Sequence, residues 1–372
     1  MPLRQPAMPI SMARSSNNCG HSYAQPSKPP GSLPTVRAWN LIPKTGTARV
    51  CSFGIAPSRG LEQLIARANT FISHARAAST VRAYRSDWND FTCWCESHRL
   101  QFMPAVPETI ALYITDLASR PLAVATIVRR LTAISKAHAS AGQISPASTR
   151  NLVVGDTLRG IKRTLGTAQH KKEALLAKDI RRLVKACPKN LSGTRDKALF
   201  LLSFSGAFRR SESSGLTVED LKFCREGVIC TLRRSKTDQE GAGREVGIPY
   251  AKNKTIWPVL ALKAWLKAAK IKSGPVFRRV DRYGFVSCTR GLDPASVAYI
   301  VKKAARRAGF RSVRDVSGHS FRSGHVSQAV RNGVPEYVVM KQTGHKSREV
   351  LNSYIRIGEL FTQNPAAGLW AA

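Results

Sequence analysis

With 372 residues, 43% of them apolar, the chain has room for two domains with proper cores. Its 59 Lys and Arg against 23 Asp and Glu leave a formal net charge of +36, spread along the whole length, which argues against an enzyme for neutral substrates and for a partner carrying many phosphates. No apolar run reaches the roughly 18 residues needed to span a bilayer and no secretory signal is apparent, so nucleic acid is the favoured polyanion over a membrane surface, and the expected location is cytoplasmic, on the nucleoid.

Residues 1–58 contain no acidic residue and nine prolines, with many serines and glycines between them. Such a stretch buries too little apolar surface to offset its ordering entropy, so disorder is expected. Three readings stay open here: a flexible basic arm touching DNA backbone, an organellar transit peptide, or sequence upstream of the true start. From Leu61 the spacing turns helical, with Leu61, Leu64, Ile65, Ala68, Phe71 and Ile72 on one stripe. A second helix opens at Ser79-Thr80, as a side-chain cap, and carries Val81, Tyr84, Trp88, Phe91 and Trp94 inward. Pro107 marks the first turn of a third. A fourth covers 123–141, with Arg129, Arg130 and Lys136 on or near its exposed face, and a fifth follows Ser145-Pro146 and ends near Gly166. Together these predict a helical domain over 59–166 with basic faces.

A polar, basic linker over 167–175 leads to a second domain, 176–356. Helices are predicted at 177–186 and 193–205, strands at 227–232 and 245–249 with a turn-like Ser235-Lys236-Thr237-Asp238 between them, and further helices at 259–269, 294–308 and 335–343. The expected fold class is mainly α with a small antiparallel β-sheet. Lys236, at or near a hairpin tip, can reach into a groove. The eight cysteines show no zinc or redox spacing and read as free thiols of a reducing cytosol.

The chemistry concentrates in residues 318–354. His319 and Arg322 are three apart and share a face if helical, pairing a proton-handling ring with a planar fork that grips phosphate in two places. Gly344-His345 and Tyr354 follow. Each has a duller reading: Tyr354 lies on an apolar stripe and alone would be a core residue, and His319 with Arg322 alone would be a solvated pair. Three histidines (His319, His325, His345) have no standard zinc spacing, so no metal site is expected. Only the combination points to phosphate chemistry with a phenolic nucleophile.

These residues resemble the tyrosine recombinase (phage integrase) family from about residue 60 to 356. The family's Gly-x-x-Arg-x-Ser-Glu segment matches Gly206-Ala207-Phe208-Arg209-Arg210-Ser211-Glu212, its hairpin lysine falls on Lys236, and its His-x-x-Arg box on His319-Ser320-Phe321-Arg322. Gly344-His345 and Tyr354 complete the set. The resemblance implies a helical core-binding domain and an α+β catalytic domain forming a C-shaped clamp on double-stranded DNA at a specific site. It implies that Arg209 and Arg322 hold the non-bridging oxygens, Glu212 supports Arg209, His319 accepts the phenol's proton, His345 bonds the phosphate, Lys236 protonates the leaving 5′ oxygen, and Tyr354 forms a 3′-phosphotyrosyl intermediate with no metal or other cofactor. It also implies a homo-tetramer on DNA, the tail 357–372 docking on a neighbouring subunit or packing on its own domain. A type IB topoisomerase shares this residue set, and a non-catalytic DNA-binding accessory protein is the rival from another class.

Overall fold

The computed structural model of the protein describes residues 59–168, 172–233, 238, 241, 243–250, 257–345 and 347–352. The expectations for residues 1–58, Lys236, Tyr354 and the tail 357–372 therefore fall outside the described residues. The chain divides into two compact units, 1–167 and 168–372.

The first unit holds five helices: α1 (Arg59–His74), α2 (Ala78–Ser97), α3 (Pro107–Ser119), α4 (Val124–Ser140) and α5 (Leu152–Leu165). Trp88, Phe91 and Trp94 of α2, Ile110, Tyr113 and Ile114 of α3, Ile127 and Ile134 of α4 and Leu158 of α5 form one apolar core. The helical periodicity of α1 is present, but its stripe is not buried: Leu64 is 60% and Phe71 68% exposed. Aromatics of α2 and α3 and aliphatic side chains of α4 and α5 already fill the interior, so α1 forms without completing the core. Two predicted boundaries move. Ser79-Thr80 lies inside the first turn of α2, whose preceding residue Ala77 offers no side-chain cap. The fifth helix starts at Leu152 rather than after Ser145-Pro146, because the Asn151 side chain accepts from the backbone N–H groups of Val153 and Val154.

An ion-pair lattice ties α2, α3 and α4 together. Arg129 reaches both oxygens of buried Asp87, at 2.8 Å each. Arg130 donates to Asp90 and, at 3.0 Å, to the Tyr113 hydroxyl. Arg120 bonds Asp116 and lies 3.3 Å from Asp90. Arg130 was expected near an exposed face; its side chain is only 13% exposed, folded inward onto these carboxylates. Lys136 is exposed.

The second unit is built around α7 (Leu191–Ser205), which is buried on all sides from Ala198 to Ser203. α6 (Ala177–Lys185), α8 (Arg210–Gly215), α9 (Pro258–Ala268) and α11 (His319–Arg331) surround it, with Phe200 of α7 stacked on Phe321 of α11 at 5.6 Å. Gly324 of α11 permits a close crossing: a methyl there would run into the backbone of Leu175, whose N–H donates to Ser320 O at 3.0 Å. β1 (Leu221–Phe223), β2 (Gly227–Leu232) and β3 (Arg244–Pro249) form an antiparallel sheet in that order, with Leu232 opposite Arg244. Val228, Cys230, Leu232, Val246 and Ile248 alternate into the core, the period-two pattern that made both longer strands readable. A second pair, β4 (Arg278–Val280) and β5 (Val286–Gly291), precedes α10 (Pro294–Arg307); α12 (Glu336–Thr343) and α13 (Arg348–Asn352) close the described chain. β1, β4, β5 and α8 are additional to the predicted elements. No described helix is long and apolar enough to cross a membrane.

Candidate active site

The site lies where the end of α7, the start of α8, the first turns of α11, the turn after α12 and the start of β3 meet. After α7 the chain turns sharply through Ala207, buried and with φ 50, in the left-handed region that a non-glycine residue rarely adopts. The turn aims the Ala207 carbonyl at α11, where it accepts from Arg322 Nη1 at 3.0 Å. It also delivers Arg209 to the residue preceding α8. There the carboxylate of buried Glu212 accepts from the Arg209 backbone N–H at 2.9 Å and from Arg209 Nη1 at 2.6 Å. Arg209 thus faces inward, whereas Arg210 is exposed and packs its side-chain stem against Gly318. Ser203 and Ser213, hydrogen-bonded at 2.8 Å, pin α7 to α8 beneath this corner.

Arg322 is fully buried. Its Nη2 lies 3.0 Å from His345 Nε2. A guanidinium can only donate, so Nε2 carries the lone pair and the proton is on Nδ1. The other side agrees: Nδ1 lies 2.8 Å from Thr343 Oγ1, whose own proton goes to Val339 O at 2.7 Å. Burial first, then the charges of Arg322, Arg209, Arg244 and His319, hold the His345 ring far below the usual histidine range, down to about 3. His345 is therefore neutral, in one tautomer, and in this state it orients Arg322; the direct phosphate contact expected of it requires Nε2 to release Arg322 and to carry a proton. His319 is exposed at the start of α11, one turn ahead of Arg322 and within charge range of His345.

So Arg209, Glu212, His319, Arg322 and His345, 136 positions apart at the extremes (209 to 345), converge on one corner. Lys236 and Tyr354 are not among the described residues; β2 and β3, which flank the first, are in place, and α13 runs toward the second. Three contributors occupy no fixed position of a recurring sequence motif. The Ala207 carbonyl is a backbone group, Thr343 fixes a tautomer, and Arg244 begins a strand. Arg244 Nη1 donates to Gln342 O at 2.5 Å, and Nη2 stands 3.6 Å from Glu212 Oε2. Burial lowers its pKa from the ordinary arginine value, Glu212 opposes that, and Arg209 adds to it.

A buried corner that brings three guanidiniums together, with Glu212 the carboxylate among the described residues, is suited to a doubly liganded, monoanionic phosphate. Residues 173–359 match the model of the phage integrase family. The chain is 40% identical over 307 residues to an integrase/recombinase XerD homolog of Selenomonas ruminantium, covering 82% of this chain and 89% of that protein. The chain belongs to the phage integrase family of tyrosine recombinases. The Cre recombinase of Escherichia phage P1 is 24% identical over 285 residues, covering 72% of this chain and 80% of Cre. Among solved structures, a XerH site-specific recombinase bound to a palindromic difH substrate, in a post-cleavage complex, shares the fold with a TM-score of 0.59 at 14% identity, over 85% of this chain and 86% of that one. As a tyrosine recombinase the protein is an enzyme of DNA strand transfer that acts in site-specific recombination.

Proposed function

We propose that this recombinase cuts and rejoins DNA through a 3′-phosphotyrosyl intermediate, with Tyr354 as nucleophile. The phenolic oxygen of Tyr354 forms a bond to phosphorus, and the bond from phosphorus to the 5′ oxygen breaks. Since a phenol has a pKa near 10, about a thousandth is ionised at neutral pH; His319, exposed beside Arg322, takes its proton. Lys236 gives a proton to the departing 5′ oxygen. Arg209 and Arg322 stabilise the charge that gathers on the non-bridging oxygens, remaining protonated at any working pH. Attack by a 5′-hydroxyl from a partner strand then reverses the step and restores the phenol, so bond energy is conserved and integration, excision or resolution all follow from the choice of sites.

The observation that supports this most is the Arg322 setting: a fully buried guanidinium oriented by Ala207 O and His345 beside Arg209, which Glu212 holds in place. The XerH site-specific recombinase that shares the fold was solved bound to a palindromic difH substrate, which favours double-stranded DNA as the partner here. Exchange between two duplexes calls for a cyclic homo-tetramer on DNA, with the nucleoid as the place of work. On a nicked suicide substrate the wild-type protein should form a covalent adduct and Tyr354→Phe none, both binding the site equally. Equal adduct yields would remove Tyr354 from the role.

A further inference from the structure

Resting on that reading, we infer that Arg244 is a positioning residue for cleavage, one that ties the hairpin strand β3 to the Glu212–Arg209 pair and to the His345 turn. Three contacts carry the inference. Its Nη1 donates to the Gln342 carbonyl in the last turn of α12. Its Nη2 stands 3.6 Å from the Glu212 oxygen that also accepts from the Arg209 backbone. Its guanidinium lies flat against Gly344, which sits at φ 71; a Cβ there would be 3.1–3.3 Å from Nε, Cδ and Cζ. One planar group thus fixes the spacing between the carboxylate behind Arg209 and the turn that carries His345, the acceptor for Arg322.

An arginine chosen only to hold the fold would not be placed like this. Among the described residues, Nε and Nη2 are buried without a hydrogen-bond partner, and the like charge of Arg209 is close enough to disfavour Arg244. Replacing one member of a buried pair is costly when it strands the partner, but here Glu212 keeps its close pair with Arg209, so an apolar residue of similar length in place of Arg244 leaves no carboxylate unpaired. Retaining it makes sense if its rigidity serves the reaction, since a displacement of about 1 Å at a reacting centre can cost about a hundredfold in rate. Because Arg244 opens β3 directly after the connection that contains Lys236, two routes are possible for its effect. Its backbone pairs with Leu232 in the hairpin, but its side-chain contacts among the described residues are on the phosphate-gripping side, and the effect should follow that route.

The test compares wild type, Arg244→Met and Arg244→Lys in single-turnover cleavage of a suicide substrate, with either a normal 5′ oxygen or a 5′-bridging sulfur, alongside melting temperature and site affinity. Wild-type adduct formation is the control for the underlying reading. If the wild type makes no adduct, that reading falls and takes this inference with it. With the control intact, Arg244→Met should melt at or above wild type, bind the site within about threefold, and cleave about ten- to a hundredfold more slowly on both substrates. Arg244→Lys, which keeps the charge but cannot bridge a carbonyl and a carboxylate together, should show a smaller loss of the same kind. Cleavage within about threefold of wild type for both variants would overturn the inference. So would recovery on the sulfur substrate, which would put the effect on Lys236, or a loss of rate matched by lost folding in both variants.

Discussion

The molecule contains two clusters of three arginines, and they are built on opposite principles. In the first unit Arg120, Arg129 and Arg130 face Asp87, Asp90 and Asp116, so every guanidinium meets a carboxylate. In the second, the contacts of Arg209, Arg244 and Arg322 among the described residues include one carboxylate, Glu212, together with Ala207 O, Gln342 O and His345 Nε2. The matched set is a strut: charge is cancelled locally and three helices are locked. Among the described residues the second set has more guanidiniums than carboxylates in a buried corner, at a cost in desolvation, which on the proposed function an incoming phosphate offsets.

The contrast predicts different failures. Arg322→Ala should slow cleavage of a suicide substrate by about a hundred- to a thousandfold, the usual loss for one oxyanion donor, with site binding largely kept. Arg130→Ala, at saturating DNA, should leave the cleavage rate of the folded protein within about threefold. Similar losses from both would erase the distinction between the clusters. Next in size, Asp87→Ala should destabilise the first unit by about 2 kcal/mol, read from urea unfolding, since it strips the bidentate partner from Arg129 and leaves Arg130 closer to unpaired. A shift within error would mean the lattice is ornamental to stability.

Per pH unit, the smallest effect is a pH dependence. The His345 ring titrates at about 3 in the fold, against an ordinary 6.5, so below about pH 6.5 the unfolded chain takes up a proton that the folded chain refuses. The contribution of this group to stability is therefore complete above about pH 6.5 and is lost as pH falls toward about 3, at no more than about 1.4 kcal/mol per pH unit. Burial lowers His138 and His325 as well, which steepens the same acid-side loss. His345→Gln should make it shallower, and nitrogen-15 spectra of the wild type should show one neutral tautomer, with Nδ1 protonated, at pH 5. A His345 titration near 6.5 would contradict the hydrogen-bond assignment.

Much of the architecture was legible in the residues because local patterns coincide with burial. Trp88, Phe91 and Trp94 at helical spacing, and Val228, Cys230 and Leu232 at strand spacing, lie in the cores they suggest. The failures have local causes too. The α1 stripe is periodic, yet periodicity cannot say whether neighbours leave it room. The position of Arg130 depended on carboxylates 40 positions away at Asp90, which no window along the chain can show. At the site, Arg209, Glu212, His319, Arg322 and His345 were nameable from motif spacing. Arg244, Thr343 and the Ala207 carbonyl were not, because their importance comes from what they touch and not from a recurring local pattern.

The central claim is that the corner around Arg322 receives the scissile phosphate. A crystal structure of the wild-type protein trapped on a nicked suicide site tests it most directly. The account predicts a phosphorus atom bonded to the Tyr354 oxygen, with its non-bridging oxygens within about 3 Å of the Arg209 and Arg322 guanidiniums. A phosphotyrosine seated elsewhere, with Arg322 still held only by Ala207 and His345, would contradict it.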